Sequence, residues 1–111
     1  AGRRAARVAA RYHFTLYEHF LTDKAGHACD MEEACQVLER MDAFLAGVLE
    51  ELPPEHLLII TSDHGNLEDL SVKTHTLNPV ATIVRGPGAG AVAGRIRSLV
   101  DIAPAILDVV E

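Results

Sequence analysis

The sequence predicts an α/β fold, a mainly parallel sheet with helices packed on its faces. Strand and helix signals alternate along the chain, and two of the strand signals are short, unbroken apolar runs of the kind buried in parallel sheets. With 111 residues, 49% of them hydrophobic, the chain is long enough for one small domain, spanning residues 1–111, with a core of its own.

Each element has a local reason. Residues 3–10 read as a helix, and residues 12–21, aromatic and apolar, read as a largely buried strand that runs out at Thr22-Asp23. Asp30, with Glu33 three residues on, has the spacing of a capping box. Met31, Ala34, Cys35, Leu38, Met41, Leu45, Val48, Leu49 and Leu52 then follow at helical spacing until Pro53-Pro54 ends the run. Leu57 to Thr61 and Val80 to Val84 are the two short apolar strands, the second closed by Arg85-Gly86-Pro87-Gly88. Gly86 to Gly90 lacks the spacing of a phosphate-binding glycine loop and reads as a connector. Ser98 caps a last helix from about Leu99 to Val110, with Pro104 in its first turns, where a missing amide costs least.

Charge and cysteine content narrow the function classes. A net charge of −6 argues against nucleic-acid binding, although Arg3, Arg4, Arg7 and Arg11 crowd the first helix; that cluster reads as a solvated face. Cys29 and Cys35 are too few and too irregularly spaced for a disulfide framework and read as free thiols of a reducing compartment. No stretch is long and apolar enough to span a bilayer, and no secretory signal or initiator Met is present. The expectation is a soluble, cytoplasmic chain without nucleic-acid or membrane partners, cut from a longer protein.

The chemistry concentrates on three segments. Thr61-Ser62-Asp63-His64-Gly65-Asn66 sets a carboxylate beside an imidazole just past an apolar strand, Lys73-Thr74-His75-Thr76 adds a second imidazole, and Thr22-Asp23-Lys24-Ala25-Gly26-His27 adds another Asp/His pair. Beyond the carboxyl ends of the strands is where α/β sheets gather ligands. Asp23, His27, Asp63, His64 and His75 combine carboxylate oxygen with imidazole nitrogen, a donor set for Zn, Mn or Fe rather than for calcium, which takes oxygen donors throughout. Five donors exceed what one tetrahedral site with an open position requires, so two divalent ions, Mn or Zn, are the economical reading. Two such ions fit phosphoryl or sulfuryl transfer on a small anionic ester.

These residues resemble the alkaline phosphatase superfamily, in particular its cofactor-independent phosphoglycerate mutase branch. Asp23-Lys24-Ala25-Gly26-His27 is similar to that branch's Asp-x-x-Gly-His element, and Asp63-His64-Gly65-Asn66 to its Asp-His-Gly-Asn element. His75-Thr76-Leu77-Asn78-Pro79-Val80 resembles its His-Thr-x-x-Pro-Val element, and Asp101-Ile102-Ala103-Pro104 resembles the opening of its last helix. The resemblance implies a partial alkaline-phosphatase-like sheet, one metal held by Asp23, His27 and His75, and another held by Asp63 and His64. It also implies a metal-dependent phosphomutase or phosphatase as the parent, acting on a small phosphorylated substrate. Complete members carry a further metal-binding Asp and a Ser or Thr nucleophile on segments not seen in this chain. The chain is therefore expected to be the C-terminal part of such an enzyme, inactive alone and prone to self-association through exposed sheet edges.

Other residues read more plainly. Ser62 ends a strand, His13 and His19 lie in the strand pattern, His56 sits in a turn, and Cys29 reads as a small core residue. Glu68, Asp69 and Lys73 form a loop bordering the donors, their role open. A non-catalytic metal-binding or interaction module of the same fold is the competing reading.

Overall fold

The computed structural model describes residues 1–111. In chain order it contains α1 (Gly2–Ala9), α2 (Leu21–Ala28), α3 (Met31–Glu51), β1 (Leu58–Ile60), β2 (Ile83–Arg85), α4 (Ala89–Arg95), a 3₁₀ turn (Leu99–Asp101) and α5 (Ile102–Val110). The fold is α/β, with helices α1 and α2 both packed against the long α3.

The best-encoded element is α3. Asp30 turns extended at its N-cap and its Oδ1 accepts hydrogen bonds from the amides of Glu32 (2.9 Å) and Glu33 (3.1 Å), satisfying two amides that have no partner inside the helix. Its inward stripe buries Ala34, Val37 and Val48. Helix α1 crosses it with Ala6 buried, and charges close the seam: Arg7 donates to both carboxylate oxygens of Glu51 and Arg3 pairs with Glu50 at 2.6 Å. Two of the four clustered arginines are thus paired within the chain while their side chains stay more than half exposed. These are surface pairs of small energetic weight.

The expected strand over residues 12–21 does not form. Residues 14–20 are irregular, Leu16 and Phe20 are 71% and 70% exposed, and α2 starts at Leu21. An aromatic run becomes a strand only when another strand takes up its backbone groups, and none lies alongside here; Tyr17 instead stacks on Phe44 of α3 at 4.5 Å. Helix α2 has no capping side chain at Phe20 and closes at Cys29, which is in the left-handed region (φ 54°). It lacks the capping residues by which helix ends are read from sequence, and its only end signals are Asp23 in the first turn and His27 in the last.

The sheet also departs from expectation. It has two strands paired antiparallel, Leu58 opposite Arg85, Ile59 opposite Val84 and Ile60 opposite Ile83, instead of a mainly parallel arrangement. Parallel pairing requires a crossover, usually a helix; residues 61–82 form only irregular loops and turn straight back beside β1. Strand β2 starts at Ile83, later than the apolar run beginning at Val80. The glycine-rich connector after it folds at Ala89 into the unexpected helix α4, which Arg95 ties to Asp108 of α5. The last helix follows its prediction: Ser98 and Asp101 form a capping box across the 3₁₀ turn, and Pro104 lies within the first turn of α5.

The core is smaller than composition promises. Its buried apolar side chains are Ala6, Ala25, Ala34, Val37, Val48, Val92 and Ala105, and no large side chain is fully enclosed. No helix is long and apolar enough to cross a membrane. Because the Asp30 side chain satisfies two otherwise unpartnered amides of α3, Asp30→Ala is expected to cost about 1 kcal/mol, read as a lower urea midpoint followed by circular dichroism at 222 nm.

Candidate metal centre

Helix α2 places Asp23 and His27 one turn apart on the same face. The loop after β1 carries Asp63 and His64, then doubles back so that Gly65 and Thr76 form an isolated antiparallel bridge, the Thr76 amide donating to the Gly65 carbonyl at 2.9 Å. That bridge sets His75 against His64, their rings stacked at 3.5 Å and 13°. Three imidazole Nε2 atoms then face one carboxylate oxygen. From Asp23 Oδ1 the distances are 3.1 Å to His75, 3.3 Å to His27 and 3.6 Å to His64.

Asp23, His64 and His75 offer donor atoms that all lie within 4.8 Å of one another. Asp63 stands at the rim, 84% exposed, its Oδ1 3.4 Å from His64 Nε2. His64 therefore lies between two carboxylates, one on each side. All five residues singled out in the sequence meet in this region, but Asp23 reaches it from a helix rather than from the end of a strand.

The far sides of the rings settle which nitrogen faces inward. His27 Nδ1–H donates to the Lys73 carbonyl, and His64 Nδ1–H donates to the Gly65 carbonyl at 3.3 Å. A carbonyl can only accept, so Nδ1 of each ring carries a proton, which leaves Nε2 as the nitrogen able to give a lone pair to a metal ion. That is the outer bonding pattern of metal-ligating histidines. One carboxylate oxygen with several imidazole nitrogens around it fits a divalent transition ion and does not fit calcium.

A supporting layer lies behind the donors. The Asn66 side chain, 4% exposed, donates through Nδ2 to Asp23 Oδ1 (2.8 Å) and to the Asp23 carbonyl (3.0 Å). This bond is the largest cause holding the Asp23 carboxyl below its ordinary range; desolvation opposes it, and His27 and His75 add to it. Glu68 joins the two histidine loops: it accepts from the Asn66 amide (2.6 Å), the Thr76 hydroxyl and Asn78 Nδ2 (3.0 Å). The Thr76 hydroxyl first, and Asn78 next, pull its carboxyl down to about 2. Two glycines make room. A Cβ on Gly26 would meet the Asn66 side chain at 2.5–2.8 Å, and one on Gly65 would meet Thr76 Oγ1 at 2.2 Å and Glu68 Oε1 at 2.7 Å.

Asn66 and Glu68 are what the sequence reading left without a role. Their signal was present, since both stand within five residues of Asp63, but nothing local says that an amide and a carboxylate will turn inward. The remaining polar residues behave as expected or play no part. Ser62 Oγ donates to the His64 carbonyl (2.8 Å), Thr61 and Thr82 hydroxyls bond each other (3.0 Å), His19 faces Tyr17, and Cys29 Sγ donates to the Val72 carbonyl (3.3 Å). An open cleft of about 540 Å³ adjoins the Asp63 side, lined among others by His64, Thr76, Asn78, Arg97 and Ser98.

Fold and site together define an α/β chain with a carboxylate–imidazole cluster of metal-binding character. The chain belongs to the Metalloenzyme superfamily, whose family model matches residues 3–111. It is 30% identical over 105 residues to a 2,3-bisphosphoglycerate-independent phosphoglycerate mutase of Desulforudis audaxviator, covering 88% of this chain and 21% of that protein. It is 38% identical over 93 residues to 2,3-bisphosphoglycerate-independent phosphoglycerate mutase 2 of Methanothermobacter thermautotrophicus, covering 81% and 22%. A phosphopentomutase of Alkaliphilus metalliredigens is 35% identical over 88 residues, covering 78% and 23%. The chain thus spans about a fifth of the length of the curated relatives it matches. No solved structure matches it significantly.

Two outcomes follow from this geometry. Gly26→Ala, by pushing Asn66 off Asp23, is expected to weaken Zn²⁺ or Mn²⁺ binding by about tenfold to a hundredfold in calorimetric titration, as disturbed outer partners of metal ligands do. Glu68 has a folded-state pKa below the ordinary glutamate value of 4.5, so its support of the two loops is complete above pH 4.5 and is lost as pH falls towards about 2. The amide resonances of Asn66 and Thr76 should report that loss in an acid titration of the metal-free chain.

Proposed function

We propose that this chain supplies the Asp/His metal ligands of a two-metal phosphotransferase of the phosphoglycerate mutase type, acting on small phosphate monoesters. The observation that carries the reading is the convergence of the Nε2 atoms of His27, His64 and His75 on Asp23 Oδ1. The matches to phosphoglycerate mutases and a phosphopentomutase supply the reaction class. In this reading Asp23, His27 and His75 hold one divalent ion and Asp63 and His64 hold the other, with manganese or zinc as occupant. When bound, such ions offset the charge of a transferring phosphoryl group and lower the pKa of its nucleophile.

The chain's own residues have definite tasks. Lys73 and Gly65 carbonyls keep the His27 and His64 lone pairs facing inward, and Asn66 fixes the Asp23 carboxylate. The open cleft beside Asp63 and His64 is where an anionic ester would approach. The nucleophile and a remaining ligand would come from a longer parent, of which this chain is the C-terminal part. Further strands of that parent would extend the two-stranded sheet and cover the exposed Tyr12, Phe14, Leu16 and Phe20. Without them the chain would self-associate through its bare edges.

A second reading, a non-catalytic metal-binding module, has one observation in its favour. The hydroxyls nearest the donors are already committed, Ser62 to the His64 carbonyl, Thr61 to Thr82 and Thr76 to Glu68. The decisive experiment combines binding with turnover. Wild-type chain should bind Zn²⁺ or Mn²⁺ stoichiometrically by elemental analysis, Asp23→Ala and His75→Ala should each lose that binding, and the chain alone should not turn over 3-phosphoglycerate. Metal-dependent isomerisation by the full-length product, abolished by Asp23→Ala, supports the enzyme. An inactive full-length product that still binds metal favours the module.

A further inference from the structure

We infer that Glu68 is a positioning residue that clamps the His64 and His75 loops into one donor frame and, through Asn66, fixes the Asp23 carboxylate. This rests on the metal-centre reading above. The argument is one of connectivity. Glu68 Oε2 accepts the Asn66 amide at 2.6 Å, while Oε1 accepts the Thr76 hydroxyl and Asn78 Nδ2, the latter at 3.0 Å. Asn66 lies two residues after His64 and its side chain grips Asp23 at 2.8 Å; Thr76 directly follows His75. One carboxylate therefore ties together the backbone or side chains flanking three of the donors, from segments up to 52 residues apart.

Only a carboxylate meets all three demands. Every partner is a donor, and both carboxylate oxygens are used as acceptors. A carboxamide of the same size has one accepting oxygen and one NH₂ group, so it can keep this pattern on only one side of the clamp; on the other, the Thr76 hydroxyl and the Asn78 amide would have to reverse their roles. The site has invested space in this contact: Gly65 leaves no room for a Cβ between Thr76 Oγ1 and Glu68 Oε1. Glu68 touches none of the donor atoms, so its influence passes through Asn66, Thr76 and Asn78.

The test is a Co²⁺ titration of the chain followed by its visible d–d absorption, with wild type, Glu68→Gln and Asp69→Asn compared, each checked by circular dichroism. Asp69→Asn removes the same charge from the same loop, but the Asp69 carboxylate bonds only to Ser71. Glu68→Gln should bind Co²⁺ about tenfold or more weakly with a shifted band, while Asp69→Asn matches wild type. In the metal-free chain, hydrogen exchange at the Asn66 and Thr76 amides should speed up in Glu68→Gln with α3 amides unchanged. Wild-type affinity and band in Glu68→Gln would overturn the inference, as would an equal loss in Asp69→Asn, which would reduce it to net charge. A wild-type chain that gives no Co²⁺ band removes the metal-centre reading and the clamp with it. Should Glu68→Gln fail to fold, Thr76→Val decides: weaker Co²⁺ binding supports the clamp and unchanged binding overturns it.

Discussion

Asp23 Oδ1 is the point on which the rest of the site depends, because three imidazole nitrogens and one amide nitrogen from four positions on three segments all address it. Holding a carboxylate against several ring nitrogens requires each ring to offer the correct face. The carbonyls of Lys73 and Gly65 do this for two of them by accepting the Nδ1 proton. The consequence is a centre held in place by backbone and amide hydrogen bonds as well as by the Asp23 carboxylate. It also explains why a chain with so small a core can still present ordered chemistry.

That small core puts unusual demands on polar contacts. Alanine and valine fill the interior, and the helices meet through small residues and surface ion pairs. The loops bearing His64 and His75 have almost no apolar burial to fix them. Their order comes instead from the Gly65–Thr76 bridge, the Asn66 side chain and the three bonds to Glu68. Hydrogen bonds of this kind are directional, so they specify a unique arrangement where non-directional apolar packing would allow several. Glycine at positions 26 and 65 is the steric condition for that arrangement.

The exposed aromatic stretch before α2 belongs to the same picture. Tyr12, Phe14, Leu16 and Phe20 are too apolar to be at rest in water, and only Tyr17 finds a partner, on α3. The chain spans about a fifth of the length of the curated relatives it matches, and its sheet has two strands. Strands β1 and β2 pair with each other antiparallel, by a local hairpin-like return of the chain.

By itself the sequence determined what is encoded within a turn or two of chain. The Asp30 cap and the helix behind it, the Ser98–Asp101 start of the last helix and the apolar run at β1 all follow from local spacing, and the five candidate donors stand out as two Asp/His pairs and a further His. The sequence could not decide that residues 12–21 lack a strand, because strand formation is settled by a partner, nor that α2 forms without a capping residue or α4 from a glycine-rich connector. Tertiary structure alone decided that His64 stands between Asp23 and Asp63, and that Asn66 and Glu68 face inward as the supports of the donors. These contacts join residues some 40 to 50 positions apart in several cases, as with Asn66 and His75 on Asp23. Hydrogen bonds of that separation leave no periodicity in a sequence; they exist only once the loops have been brought together.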